Sequence, residues 1–205
     1  GQKLNLTSGY LISQDTIMLT LGDNVTAEGG NDSSYVIGPM KKKGDEAFTF
    51  PIGKDSAYAP ISISAPSNQT HTFKAEYFRT APSQDASSRE MSIQPLTSCE
   101  SWELSRTSGN SQVEVTLSFD EKRSCGMSDP SQAVLTRWNG AEWVDLGNGV
   151  QAGDSRSGAI TSGGTVGSFG TFTFAQSEAS FLQVELLTFE AYTDQYQIVL
   201  EWKTA

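Results

Sequence analysis

The sequence predicts an all-β protein, an antiparallel β-sandwich of the jelly-roll or immunoglobulin-like kind, on three observations. Turn-forming residues punctuate the chain about every eight to twelve residues, the rhythm of a sandwich. Apolar residues make up only 37% of the 205 residues; Ser, Thr, Gly, Asn and Gln fill the difference, and stretches suited to long helices are scarce. Finally, residues 112–119 alternate without a break: Val113, Val115, Leu117 and Phe119 on one side, Gln112, Glu114, Thr116 and Ser118 on the other. That is the period of a strand with one buried face.

The elements follow in order. Residues 4–25 repeat short apolar groups (LNL, YLI, IMLTL, NV). They fit the last rungs of a β-solenoid or ordinary strands of the sandwich, and the lack of a long self-similar period favours ordinary strands. Within them, residues 16–21 alternate and stop at Gly22-Asp23-Asn24. Tyr35-Val36-Ile37 ends at Gly38-Pro39, Phe48-Thr49-Phe50 runs into Pro51, and Ile61-Ser62-Ile63 lies between Pro60 and Pro66. Residues 71–78 place His71, Phe73, Ala75 and Tyr77 on one face, which makes the single histidine a strand residue rather than a catalyst. The polar connector TAPSQDASSR at residues 80–89 is a long loop or a subdomain break at 80–90.

Further on, Asn139-Gly140 between two apolar runs predicts a tight type I′ hairpin, because both turn positions need positive φ. That register sets Trp138 opposite Ala141 and Arg137 opposite Glu142. Trp138, Thr136 and Val134 then share a face with Ala141, Trp143 and Asp145, while Leu135, Val144 and Leu146 take the other. Gly170 in the strand at residues 169–174 marks a bulge or a close neighbouring backbone. The sandwich region thus spans 1–178. From 179 a linker leads to two strand-like runs, at 183–191 and 197–203, which read as the truncated opening of another domain.

The formal net charge is −10, which disfavours nucleic-acid phosphates and anionic membranes as partners. There is no apolar run of about eighteen residues to insert in a membrane. Cys99 and Cys125 are either two buried thiols or an oxidised pair, and an extracellular location would favour the disulfide. With one histidine and no C-x-x-C, they have too few soft companions for a metal site. Calcium has two candidate ligand groups, Asp23-Asn24 with Asn31-Asp32 and Asp120-Glu121 with Asp129. Neither follows the EF-hand spacing, and Asp and Asn populate turns for backbone reasons. No G-x-S-x-G elbow, phosphate-cradling loop or dinucleotide fingerprint is present, so a non-catalytic protein without a cofactor is expected. For recognition, Trp138 and Trp143 would offer an aromatic platform to a sugar ring, with Thr136 and Asp145 as hydrogen-bonding groups; alternatively the two indoles are core. Trp102 and Trp202 are expected in the core.

Several local patterns occur together in order: Tyr35-Val36-Ile37-Gly38-Pro39-Met40, Phe48-Thr49-Phe50-Pro51-Ile52-Gly53-Lys54, Tyr58-Ala59-Pro60-Ile61, Phe73-Lys74-Ala75-Glu76-Tyr77-Phe78, Ser101-Trp102-Glu103-Leu104 and Trp138-Asn139-Gly140-Ala141-Glu142-Trp143. With the tail FLQVELLTFEAYTDQYQIVLEWKTA, this set resembles the β-sandwich module preceding the fibronectin-like and sorting domains of Bacteroidetes surface and secreted proteins exported by the type IX secretion system. The resemblance covers most of residues 35–175 and carries over no catalytic residue. It implies an extracellular or cell-surface location and a structural or adhesive role, with neighbouring domains of the same chain, or glycans, as partners. It also implies O-glycosylation at Asp-(Ser/Thr)-aliphatic sequences, here at Thr16 and Ser56.

Overall fold

The computed structural model describes residues 1–125, 127, 129–177, 186–194 and 197–204. Regular structure among them is β, apart from one short 3-10 turn at Pro130–Gln132.

The N-terminal stretch forms solenoid rungs. Strands β1 (Lys3–Asn5), β2 (Leu11–Ile12) and β3 (Leu19–Leu21) make one turn, and β4 (Thr26–Glu28), β5 (Val36–Ile37) and β6 (Met40–Lys43) make the next. Each strand lies parallel to its counterpart, with Leu4 beside Ala27, Leu11 beside Val36 and Leu19 beside Met40. The expectation of ordinary sandwich strands is therefore corrected. The repeat is hidden in the sequence because the rungs carry different excursions. Between β2 and β3 the chain adds a tight turn closed by reciprocal hydrogen bonds between Gln14 and Ile17, whereas β5 reaches β6 through Gly38-Pro39 alone. Buried Ser13 holds this corner: its Oγ donates to the Pro39 carbonyl and accepts from the Leu19 N–H. Gly38 sits at φ +89°, with the Ser13 carbonyl where a Cβ would go, so the corner requires glycine.

A third rung is shared between two architectures. Of β7 (Phe48–Phe50), β8 (Ile52–Lys54), β9 (Ala57–Tyr58) and β10 (Ile61–Ile63), β8 stays in the solenoid, parallel to β5. Strand β7 leaves it to pair antiparallel with β10.

The remaining strands complete the sandwich: β11 (Thr72–Phe78), β12 (Ile93–Leu96), β13 (Ser101–Ser108), β14 (Val115–Asp120), β15 (Ala133–Trp138), β16 (Trp143–Asp145), β17 (Val150–Gly153), β18 (Ser157–Thr161) and β19 (Gly170–Ser177). One sheet has the order β17-β18-β14-β10-β7, and the larger one β16-β15-β19-β13-β11-β6-β3. The larger sheet thus runs from the sandwich into the solenoid without a break, because β6 pairs antiparallel with β11 on one side and parallel with β3 on the other. Alternation drives the packing as expected: Phe73, Ala75 and Tyr77 of β11 and Val115, Leu117 and Phe119 of β14 all point inward. They join Trp102, Phe172 and Phe174 in one buried cluster that also contains Leu21, Val36, Met40 and Ile52 of the rungs. Each large side chain so buried contributes about 1.5–3 kcal/mol.

Strands β11 and β13 pair with each other along their length, so residues 80–90 are a loop and not a subdomain break. At Gly170 the close-backbone expectation holds, with the Trp138 carbonyl near where a Cβ would stand. The expected linker, and the first residues of the following strand, fall at 178–185, outside the described residues. Beyond them β20 (Leu186–Asp194) and β21 (Gln197–Thr204) form a two-stranded antiparallel ribbon. Trp202, expected in the core, is 66% exposed. It stands opposite Phe189 on a ribbon with no third strand among the described residues, so nothing there supplies an opposing layer.

Candidate functional site

The hairpin of β15 and β16 brings the predicted recognition residues together in a different register. Trp138 stands directly opposite Trp143, Arg137 opposite Val144 and Thr136 opposite Asp145. The type I′ turn is absent: Gly140 has positive φ but Asn139 does not. Instead the Asn139 side-chain oxygen accepts the N–H groups of Ala141 and Glu142 at 2.8 and 3.0 Å, standing in for a backbone turn. The loop is two residues longer in consequence, and the expected Arg137–Glu142 cross-strand pair is not made.

The two indoles meet edge to face, with centroids 5.7 Å apart. Trp143 is fully buried and Trp138 half-buried. The cover is the stretch after the polar connector. Ser88 accepts from the Trp143 N–H, Glu90 N–H donates to the Trp143 carbonyl, and the Glu90 carboxylate accepts from the Asp145 N–H at 2.7 Å. Ile93 then closes a small second core with Val134, Trp143 and Ala175. Thr136 is buried as well, its hydroxyl donating to the Thr173 carbonyl, while Asp145 accepts from the Gly147 N–H. The four residues do share one face, but a buried Trp143 offers no ring to a sugar. Sequence reasoning missed the cover because residues 80–92 are polar and lack any strand period.

A second constellation was not anticipated. Cys99 and Cys125 are joined as a disulfide with Cα atoms 5.7 Å apart, and Glu100 beside it is fully buried. One carboxylate oxygen accepts from Arg123 and from the Tyr77 hydroxyl, and the other from the Ser124 hydroxyl. Arg123 also donates to Ser118 at 2.8 Å and lies over the Trp102 ring. Desolvation pushes the Glu100 carboxyl upward against the pull of Arg123 and the hydroxyl donors. Burial, and then the Glu100 charge, push the Tyr77 phenol up as well. The disulfide thus pins the loop carrying Arg123 and Ser124 onto the one carboxylate it neutralises. An acidic residue inside the apolar-polar run beside Cys99 was the signal available in the sequence.

The carboxylates of Asp23, Asp45 and Glu46 converge within 4.8 Å, but a lysine already supplies the cation. The Lys42 ammonium, buried at the solenoid corner, donates to Glu46 at 2.7 Å and to the carbonyls of Gly22 and Lys43. Others of the proposed calcium ligands are engaged by backbone N–H groups: Asn31 accepts from Ser33, Asp120 from Lys122 and Asp129 from Ser131 within turns, and Asp32 accepts from the Tyr58 N–H of the next rung. His71 hydrogen-bonds the Ser111 hydroxyl through Nδ1, with Gly109 pressed against its ring, a structural position. Thr16 and Ser56 are both exposed at tight turns. Asp55 and Ser56 have φ of 50° and 60°, so the left-handed two-residue turn expected at Asn139-Gly140 is found here instead.

No family model, no curated protein and no solved structure matches this chain.

Proposed function

We propose that the protein is a non-catalytic structural module of a multidomain cell-surface or secreted protein, acting as a rigid spacer or adhesion stalk between a solenoid and a following β-domain. The observation that carries this reading is the joint between solenoid and sandwich. One sheet and one apolar cluster cross it, so the two parts have no independent hinge. The disulfide and the Glu100–Arg123 pair stiffen the same core beside the third rung, where Arg123 lies near Ala57 and Tyr58. Dense turns and a net charge of −10 keep such a module soluble and separate from its neighbours. Exposed Thr16 and Ser56 are placed where O-glycans would shield turns from proteases, in keeping with the resemblance to type IX exported proteins.

A glycan-array screen of the protein beside Trp138→Ala tests this reading against a lectin-like one. The expected result is no specific binding by either protein. Specific binding that the substitution abolishes would replace the spacer with a recognition module.

A further inference from the structure

The first rung of the solenoid is open on one side. Among the described residues, strands β1, β2 and β3 each have a single neighbour, β4, β5 and β6, so alternate backbone groups on all three face outward with no described strand to meet. The inward side chains agree. Val36 and Met40 of the second rung are fully buried, whereas Leu11 and Leu19, in register with them, are only partly covered, as is Leu4 beside Ala27. Tyr10 packs against Tyr35 with tilted rings, centroids 4.6 Å apart, and remains 47% exposed.

We propose that this open end is a docking surface for one further solenoid rung, supplied by polypeptide ahead of Gly1 and paired in parallel with β1, β2 and β3 together. The rung-to-rung register argues for this occupant. The unpaired edges belong to three strands of one turn; a single extended peptide meets one of them, whereas a full rung meets all three and covers Leu4, Leu11 and Leu19. The chain also enters at the right corner. The Gln2 carbonyl accepts from the Thr26 N–H at 3.2 Å, so Gly1 and Gln2 stand over the corner at residues 22–25 by which the first rung passes to the second. A second copy docked edge to edge by two-fold symmetry would pair antiparallel, against the direction of the rung pairs, and would bring together two chains of charge −10. This proposal deepens the spacer reading by naming its N-terminal partner, yet its test reads strand pairing alone.

The test adds a copy of residues 25–45 directly ahead of Gly1, which leaves Gly44, Asp45, Gly1 and Gln2 as the new corner. Backbone amide exchange is then compared with the unextended protein, with sedimentation as the check on assembly state. The expected result is that amides of β1, β2 and β3 exchange at least about tenfold more slowly in the extended, monomeric protein. Val36→Asp within the added copy abolishes that gain while protection of β13 and β19 is unchanged. Unaltered exchange in β1 to β3, with the sandwich still protected, overturns the proposal. So does concentration-dependent protection of these strands in the unextended protein, which would make a second copy the occupant. Should the extended protein fail to fold, a synthetic peptide of residues 25–45 added to the unextended protein decides by the same readout: slowed exchange in β1 to β3 supports the proposal, and unchanged exchange overturns it.

Discussion

The indole N–H of Trp102 donates to the carbonyl oxygen of Ala59 at 2.9 Å. Trp102 belongs to the large sandwich sheet, and Ala59 lies in the short link between β9 and β10, its own N–H bonded to Ile52 of the third rung. A single side chain therefore ties the large sandwich sheet to the link by which the chain passes from the third rung into β10. Replacing it by Trp102→Phe leaves the Ala59 carbonyl without its buried donor and opens a cavity. The expected loss is about 2–4 kcal/mol, read as a lower midpoint in urea. A loss below about 0.5 kcal/mol would show that the link does not depend on this bond.

The Glu100–Arg123 pair gives a second expectation. Glu100→Gln strands a buried guanidinium and destabilises by about 3–5 kcal/mol. Pairing it with Arg123→Met recovers a large part of that loss, since the remaining groups no longer include an unpaired charge. Urea denaturation of the two single variants and the double variant measures the coupling; purely additive effects would contradict it.

Opening the disulfide acts on the unfolded chain instead. The Cys99–Cys125 bond closes a separation of 26 residues, for which the chain-entropy model gives about 3.5 kcal/mol. The Cys99→Ser, Cys125→Ser double variant is expected to lose about that much by calorimetry. It should keep the native β-sheet circular dichroism signal.

The two aspects of the fold most legible in the sequence were its class and the faces of its long strands. Residues 71–78 and 112–119 alternate cleanly, and all their predicted inward residues are buried. The solenoid was half-visible: Leu4, Leu6, Leu11, Leu19 and Leu21 of LNL, YLI and IMLTL are its inward positions. Tyr10, Ile12 and Ile17 are exposed, however, and the turn at Gln14 to Ile17 breaks the spacing that reveals a repeat. The Trp138–Trp143 face was also read correctly, whereas its cover was not, because residues 84–92 are held by backbone hydrogen bonds and Glu90 rather than by an apolar pattern. Asn139-Gly140 shows the limit of turn statistics. The same dipeptide serves a type I′ turn or an Asn-capped loop, and the choice lies in the Trp138–Trp143 contact across the strands.

Acid sensitivity follows from the solenoid corner. The Lys42 ammonium holds the Glu46 carboxyl below the usual glutamate range. A depressed folded value means that the contribution is present above the unfolded value and is lost as pH falls through the folded one. The protein is therefore expected to lose stability on acidification below about pH 4.5 partly through this group. Glu46→Gln should lower the midpoint of thermal melting at neutral pH and flatten the acid limb. An unchanged acid limb in that variant would remove Glu46 from the account.

Asp55 and Ser56 both occupy left-handed backbone, which suits glycine better than any residue with a Cβ. Ser56→Gly is expected to stabilise by about 0.5–1 kcal/mol and Ser56→Val to destabilise, measured by thermal melts at neutral pH. The opposite order would mean that the Ser56 side chain itself supports the turn.

The central claim is that the solenoid rungs and the sandwich form one mechanical unit. Residue-resolved native-state hydrogen exchange tests it most directly, by comparing amides of β5 and β6 with those of β13 and β19 as urea is raised. The account predicts that both sets converge on one opening free energy, equal to that of global unfolding. Opening of β5 and β6 at a distinctly lower free energy, with β13 and β19 still protected, would contradict it.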